Sequence, residues 1–206
     1  MTSAKIDFKR ELSELYRPTR EPELIEVPDL AFLMIDGHGD PNTSGDYRDA
    51  IATLFSIAFT LKFAFKRTPG GFDYGVMPLE GLWWGADDVD VVTTDKSTWS
   101  WTAMIMQPDE ITAPMVADAV VAAAHKRTVP ASDKLRLERF CEGLSAQLMY
   151  IGPYADELPA IRRLHAFIAE RDCEPVGKHH EIYLGDPRRS APDKLRTIIR
   201  QPVARG

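Results

Sequence analysis

A glutamate set among apolar and aromatic neighbours in a strand-like segment is a candidate for chemistry. The segment HHEIYLGDP, 179–187, holds Glu181 between His180 and Ile182. On a strand, His179, Glu181 and Tyr183 project to the same face. On an open sheet face such a glutamate is a solvated charge and the tyrosine a packing residue with a wet hydroxyl. In an apolar, low-dielectric site the same carboxylate attracts a cation, or takes a raised pKa and acts as a base. Tyr183 would then hydrogen-bond a ligand oxygen or orient Glu181. The surroundings decide between these readings, and they are aromatic. All four tryptophans, Trp83, Trp84, Trp99 and Trp101, fall in one stretch that reads as a hairpin. Trp99 and Trp101 share a face, whereas Trp83 and Trp84 point oppositely, so at least one indole from each strand can reach a common face. As core they would simply bury area. As a wall they would stack a flat ligand and hold a cation over a ring. Glu181 and Tyr183 are the catalytic candidates. Trp83, Trp84, Trp99, Trp101, Glu80, Tyr47 and His179 are the candidate ligand contacts.

Other reactive groupings are weaker. His38 in GHGD and the pair His179-His180 have no third ligand at metal spacing and read as turn or surface residues. No Walker A motif or GxGxxG opens a helix, and Ser100 and Ser145 lie outside a nucleophile-elbow pattern. Asp87, Asp88 and Asp90 lack EF-hand spacing and read as a solvated loop tip. No metal or cofactor is expected.

The elements that must position these residues follow from periodicity and punctuation. Residues 1–28 read as an arm: a short amphipathic piece with Phe8, Leu12, Leu15 and Tyr16, then an extended stretch marked by Pro18, Pro22 and Pro28. AFLMIDGHGDP, 31–41, is a buried strand and turn. A helix runs from Ser44, its cap, to Thr68, with Tyr47, Ile51, Leu54, Phe55, Ala58 and Leu61 or Lys62 at helical spacing. Strands follow over 72–84 and 98–107, joined by an acidic loop, then a helix over 112–127 with Pro114 in its first turn. Lys134 to Phe140 reads as a short helix or connector. Gly143 to Tyr150 is a strand, 156–171 a helix, and 179–187 and 194–203 are closing strands.

This order is strand, helix, strand, strand, twice. Local details recur with it: MIDGHGD and MYIGPYA, LEGLWWG and HEIYLGD, MIMQP and IIRQP. The expectation is an α+β fold of duplicated βαββ units. They would form a pseudo-two-fold antiparallel sheet with helices on one face, a ligand groove on the other, and Glu80 as the counterpart of Glu181. The domain limits expected are an arm at 1–28 and a single domain at 29–206, with halves at about 29–128 and 141–206.

Composition bounds the partners. The chain has 206 residues and a net charge of −6, which disfavours nucleic acid because phosphate contacts need clustered Lys and Arg. Arg188, Arg189, Lys194, Arg196 and Arg200 do gather near the end, but Glu181, Asp186 and Asp193 dilute them into a solvated surface. The apolar stretch from Ile51 to Phe65 carries Thr53, Ser56, Thr60 and Lys62 and reads as a buried helix, not a membrane span. The charged start shows no signal peptide, and Cys141 and Cys173 form no CxxC pair, so a reducing cytoplasm is expected. Exposed edge strands permit a homodimer without requiring one.

FKRELSELY, FLMIDGHGDPN, MPLEGLWWG, TWSWTAMIMQP and HHEIYLGDPRR, spread over nearly the whole chain, resemble the GyrI-like small-molecule-binding family, in particular a stand-alone bacterial branch. The resemblance implies a duplicated βαββ fold and a groove between the halves. It also implies a central glutamate that meets cationic or polarised aromatic ligands, a position matched by Glu181. Relatives serve as effector domains of AraC- and MerR-type regulators, but no helix-turn-helix precedes the fold here, so a DNA-binding regulator is not expected. Some stand-alone relatives are cyclopropanoid hydrolases, which add water to the strained cyclopropane of DNA-alkylating natural products. By that resemblance Glu181 would activate water, Tyr183 would hydrogen-bond the carbonyl that gains charge, and the tryptophans would stack the ligand. Three functions stay open at this point. They are a pocket that sequesters flat, apolar or cationic aromatic molecules, a hydrolase, and a module that docks a peptide or partner domain.

Overall fold

The computed structural model of the chain describes residues 5–85 and 95–206. The acidic segment with Asp87, Asp88 and Asp90 lies outside them. Two one-turn helices, α1 (Phe8–Glu11) and α2 (Ser13–Tyr16), precede β1 (Glu23–His38). Then come α3 (Gly45–Phe65), β2 (Leu79–Trp84), β3 (Ser100–Gln107) and α4 (Ala113–Ala124). The chain continues through β4 (Arg136–Ile151), α5 (Leu158–Ala169), β5 (Cys173–Pro175), β6 (His179–Tyr183) and β7 (Arg196–Arg205).

The helix α3 forms where its pattern predicts. Ser44 Oγ accepts a hydrogen bond from the Tyr47 amide, satisfying one of the open N–H groups of the first turn. Ala50, Leu54, Ile57 and Leu61, spaced three and four apart, are buried against β1 and β3. Burying each of the larger three stabilises the fold by about 1.5–3 kcal/mol. Past its last turn, the Thr68 hydroxyl donates to the Phe65 carbonyl and Gly70 takes a positive φ of 80°, which turns the chain away.

The strands are antiparallel and lie in the order β4-β1-β3-β2-β6-β7, with β5 added on β7. β4 also pairs with β7, so the sheet returns to its starting strand and curls into a barrel-like ring. An open sheet with one bare face is the expectation this overturns. The helix-free face becomes the interior of the ring, and α3, α4 and α5 cover the outside. The reason lies in β4. Lys134–Phe140, rich in helix formers, is expected as a helix or connector, but residues from Arg136 pair with β1 in unbroken register from Met34 to Asp29. Cross-strand pairing overrides local propensity there, and the resulting 16-residue strand is long enough to serve both neighbours. Gly143 lets it do so. Glu142 and Gln147 stand an odd number of residues apart, so regular alternation would send them to opposite faces. Both nevertheless bond Arg200 inside the ring, because Gly143 sits at φ 71° and flips the alternation.

Two further boundaries differ from expectation. The extended part of the arm enters the sheet at Glu23, where it pairs with Gln147. Residues 72–78 have no regular ladder, only a bridge from Tyr74 to Ile6, so β2 is shorter than its apolar run suggests.

Candidate functional site

The register sets the site. In β6, Glu181 lies opposite Gly81 of β2 and His179 lies opposite Trp83; Trp83 in turn faces Trp101 of β3. Directly paired residues share a face, so His179, Glu181, Tyr183, Trp83 and Trp101 stand together on the outer face, with Trp99 beside them. Tyr47, in the first turn of α3, closes over this group, its ring 4.9 Å from Trp101 and 5.5 Å from Trp83 between centroids. Trp99 meets Trp83 edge-on at 5.8 Å. The β4–α5 connection contributes Tyr154, 5.5 Å from the Tyr183 ring, and Glu157.

Two glycines allow the indoles to lie down on the sheet. A Cβ at Gly37, the β1 partner of Trp101, would fall 2.1 Å from the Trp101 ring. A Cβ at Gly81 would fall 2.7 Å from Trp83 Nε1, which places that N–H beside the residue paired with Glu181. Both indole nitrogens are buried without a hydrogen-bond partner, and so are His179 Nε2 and Glu157 Oε2. Leaving a buried polar group unpaired costs roughly 1–3 kcal/mol, so a ligand carrying acceptors and a donor would relieve this site.

The carboxyls divide their protonation. Burial pushes Glu181 up, but the adjoining His179 ring, the Tyr183 hydroxyl and Glu157 outweigh it and hold Glu181 below the usual carboxylate range. Tyr183 Oη donates to Glu181 Oε2 at 2.7 Å, and His179 Nε2 lies 3.3 Å from Glu181 Oε1, poorly aligned for a hydrogen bond. Burial, then the Glu181 charge, push Glu157 up to about 9, with Lys96 pulling the other way. At neutral pH the pair therefore carries one negative charge on Glu181 and one proton on Glu157. Burial and Glu181 also raise Tyr47, and they push Tyr154 up to about 12, so these phenols keep their protons.

A second charged group fills the interior. His180 places Nδ1 3.0 Å from both oxygens of Glu142 and Nε2 3.0 Å from Glu80. Both ring nitrogens thus face carboxylates and both donate. Burial alone would lower its pKa, but Glu142 and Glu80 raise it to about 9. Arg200 joins Glu142 at 3.2 Å, and Tyr16 donates to Glu80 at 2.7 Å.

Of the residues named from sequence, Glu181, Tyr183, His179, Trp83, Trp99, Trp101 and Tyr47 come together. Glu80 and Trp84 do not: alternation turns both to the opposite face, where Glu80 binds His180 and Tyr16, and Lys178 sits 3.5 Å over the Trp84 ring. The His179-His180 pair is buried rather than at a turn or surface, and Arg200, expected among solvated basic residues, is 2% exposed. Glu157 and Tyr154 carry no signal in the sequence. An acid just before a helix reads as a favourable charge at its N-terminus, and only the packing of α5 brings it to Glu181. A cavity of about 620 Å³ opens elsewhere, between the arm and β1, lined by Glu14, Arg17, Glu23 and Glu26 among others. Among the described residues, no group of three or more His, Cys, Asp or Glu side chains is arranged to hold a metal, and no helix is long and apolar enough to cross a membrane.

The model of the GyrI-like small molecule binding domain matches residues 20–204. The chain belongs to this family. Among solved structures, this GyrI-like chain is similar to an uncharacterized conserved protein from Listeria innocua. Identity is 38% and the TM-score 0.89, over 97% of this chain and all of the other. It is likewise similar to a structure from the same organism named a hydrolase, at 38% identity and TM-score 0.85, with the same coverage. The C-terminal domain of EcmrR, at 12% identity and TM-score 0.55 over 90% of this chain and 98% of the other, shares the fold. Among curated proteins there is no significant match.

Proposed function

We propose that this GyrI-like protein binds a flat aromatic molecule among Trp83, Trp99, Trp101 and Tyr47 and adds water to an electrophilic carbon held beside Glu181. The observation that carries this reading is a buried, ionised carboxylate fixed by Tyr183 at 2.7 Å, next to indole N–H groups that have no partner. Ionised at neutral pH, Glu181 can take a water proton, although the neighbours that hold its pKa low make it a weaker base than the raised carboxylate expected from sequence. The indoles are donors for the ligand's oxygens. The Listeria relative of 38% identity named a hydrolase supports the same direction. Family resemblance supplies the substrate class: a planar, DNA-alkylating molecule bearing a strained cyclopropane conjugated to a carbonyl. Tyr183 serves here by orienting Glu181, since its hydroxyl is already given to that carboxylate.

The test is incubation with a cyclopropane-bearing alkylator, following the water adduct by mass. Wild type is expected to form it, and Glu181→Gln to lose about 10²–10⁴-fold in rate, the usual contribution of a general base. Equal rates for the two proteins would remove Glu181 as the base.

A second reading, sequestration without chemistry, draws on the same carboxylate. A negative charge beside indole faces favours a cationic ring, at about 0.5–2 kcal/mol per cation–π contact. Tryptophan-fluorescence titration with a flat cationic dye and its neutral analogue separates the readings. Sequestration requires preferential quenching by the cation and no product from the alkylator.

A further inference from the structure

We propose that Glu157 is the catalytic acid that complements Glu181, giving its proton to the substrate atom that receives the electron pair while Glu181 takes a proton from water. This rests on the hydrolytic reading and adds a residue and a step to it.

The argument begins with what Glu157 does not do. It occupies the N-cap of α5 but makes no capping hydrogen bond there. Its Oε2 is buried and unpartnered. A carboxyl at a helix start normally stays ionised and binds the free amides of the first turn. This one is turned instead toward another carboxyl, which costs stability unless one of the two holds a proton. The groups that face it are Glu181, from β6, and Lys96, from the turn before β3. Tyr183 of β6 and Tyr154 of its own segment stand in the same group. His179 and Tyr47 meet Glu181 from its other sides. Of these, only Lys96 is a charge that favours ionised Glu157. The positive end of α5 acts in the same sense. Burial, and after it the like charge of Glu181, oppose ionisation more strongly, so the proton stays on Glu157.

The division of labour follows from the partners. Glu181 accepts from both Tyr183 and Glu157 and is committed as the anion, while Glu157 carries the proton of that shared bond and has a second oxygen, Oε2, without a partner. In the reaction, the water oxygen forms a bond to the cyclopropane carbon and one water proton passes to Glu181. The strained C–C bond breaks, its electron pair moves through the conjugated ring to the carbonyl oxygen, and Glu157 protonates that oxygen. Glu181 is left protonated and Glu157 ionised. One proton shift between the adjoining carboxyls restores the starting state, so the net change is addition of one water.

The experiment compares initial rates of wild type, Glu157→Gln, Glu157→Asp and Glu181→Gln on a cyclopropane-bearing alkylator from pH 5 to 10. Carboxyl ¹³C NMR of the wild type and Glu157→Gln accompanies it. Wild type is expected to lose kcat with a limb near pH 9. Glu157→Gln should lower kcat by about 10²–10⁴-fold with little change in KM and no such limb, with Glu157→Asp between. A carboxyl resonance titrating near pH 9 should vanish in Glu157→Gln. If wild type turns over and Glu157→Gln matches its rate and pH profile, or if no carboxyl titrates that high, the acid role is wrong and the hydrolytic reading stands. Absence of wild-type turnover removes both.

Discussion

At the scale of single residues, the site depends on tryptophans lying flat on a sheet, and flatness depends on glycine. Gly37 and Gly81 have no side chain where the indoles of Trp101 and Trp83 rest. Gly37→Ala puts a methyl 2.1 Å from the Trp101 ring, so the indole must lift and take Tyr47 with it. Overpacking of this kind costs about 1–3 kcal/mol. Urea denaturation should show that loss with an unchanged m-value, and quenching by a flat dye should weaken by more than the stability change explains. Trp101→Phe, which keeps an aromatic face but removes the orphaned N–H, is expected to be near neutral for stability while lowering ligand affinity about tenfold, one hydrogen bond's worth. Loss of affinity for Trp101→Ala but not for Trp101→Phe would assign the indole a stacking role alone.

At the scale of the element, β6 joins two charged groups through alternate residues. His179, Glu181 and Tyr183 face the aromatic site, and His180 between them faces Glu80 and Glu142 in the interior. The interior group holds two carboxylates, an imidazolium and a guanidinium, so its charges cancel. Removing one member leaves a buried charge without a partner, which costs about 3–5 kcal/mol. Glu142→Gln should lower stability by that order in chemical denaturation. The same group makes stability depend on pH. His180 rises from an ordinary 6.5 to about 9 in the folded protein. Below 6.5 both states hold the proton and the full contribution is present. Between 6.5 and 9 only the folded state retains it, so stability falls as pH rises. Glu157 acts in the same sense: its raised pKa means the unfolded state ionises first. Thermal unfolding from pH 6 to 10 should show a falling Tm. Glu157→Gln, which cannot ionise, should recover several degrees at pH 8–9, since about 1 kcal/mol moves Tm by about 2–4 °C for a chain of this size.

At the scale of the whole molecule, the arm is part of the ring's closure. Tyr16 reaches Glu80, Arg200 donates to the Leu15 carbonyl, and Gln147 donates to the Glu14 carbonyl. Those bonds tie α2 to β2, β7 and β4 together. Tyr16→Phe should cost about 1.5–3 kcal/mol, the value of a hydrogen bond to a charged group. Deleting the chain through Tyr16 should cost more than the sum of such bonds, because it also takes the buried Leu15 and Tyr16 side chains out of the core. Hydrogen exchange of β6 and β7 amides would report this as faster exchange in the truncated protein than in Tyr16→Phe. The ring's connectivity also bears on the proposal of two βαββ halves: exchanging β1, β2 and β3 with β4, β6 and β7 leaves the strand order unchanged. That operation cannot make Glu80 the counterpart of Glu181, because the two side chains occupy opposite faces.

Periodicity and residue type were enough to locate α3, α4 and α5, the pairing of the two Trp-bearing strands, and the shared face of His179, Glu181 and Tyr183. These are local properties, set by helical spacing, caps and the alternation of a strand. The closed sheet was not legible. It depends on Arg136–Cys141 finding β1 against its own propensity, and on one glycine flipping β4. Nor was the environment of Glu181. Whether a strand glutamate is solvated, paired or pressed against a second carboxyl is decided by what packs over it. The partners that decide it, Glu157 and Tyr154, lie in a connection whose sequence reads as an ordinary helix start. Sequence alone determined which residues share a face with the acid; the tertiary structure decided which acid keeps the proton, because charge in a buried site is a property of neighbours distant in the chain.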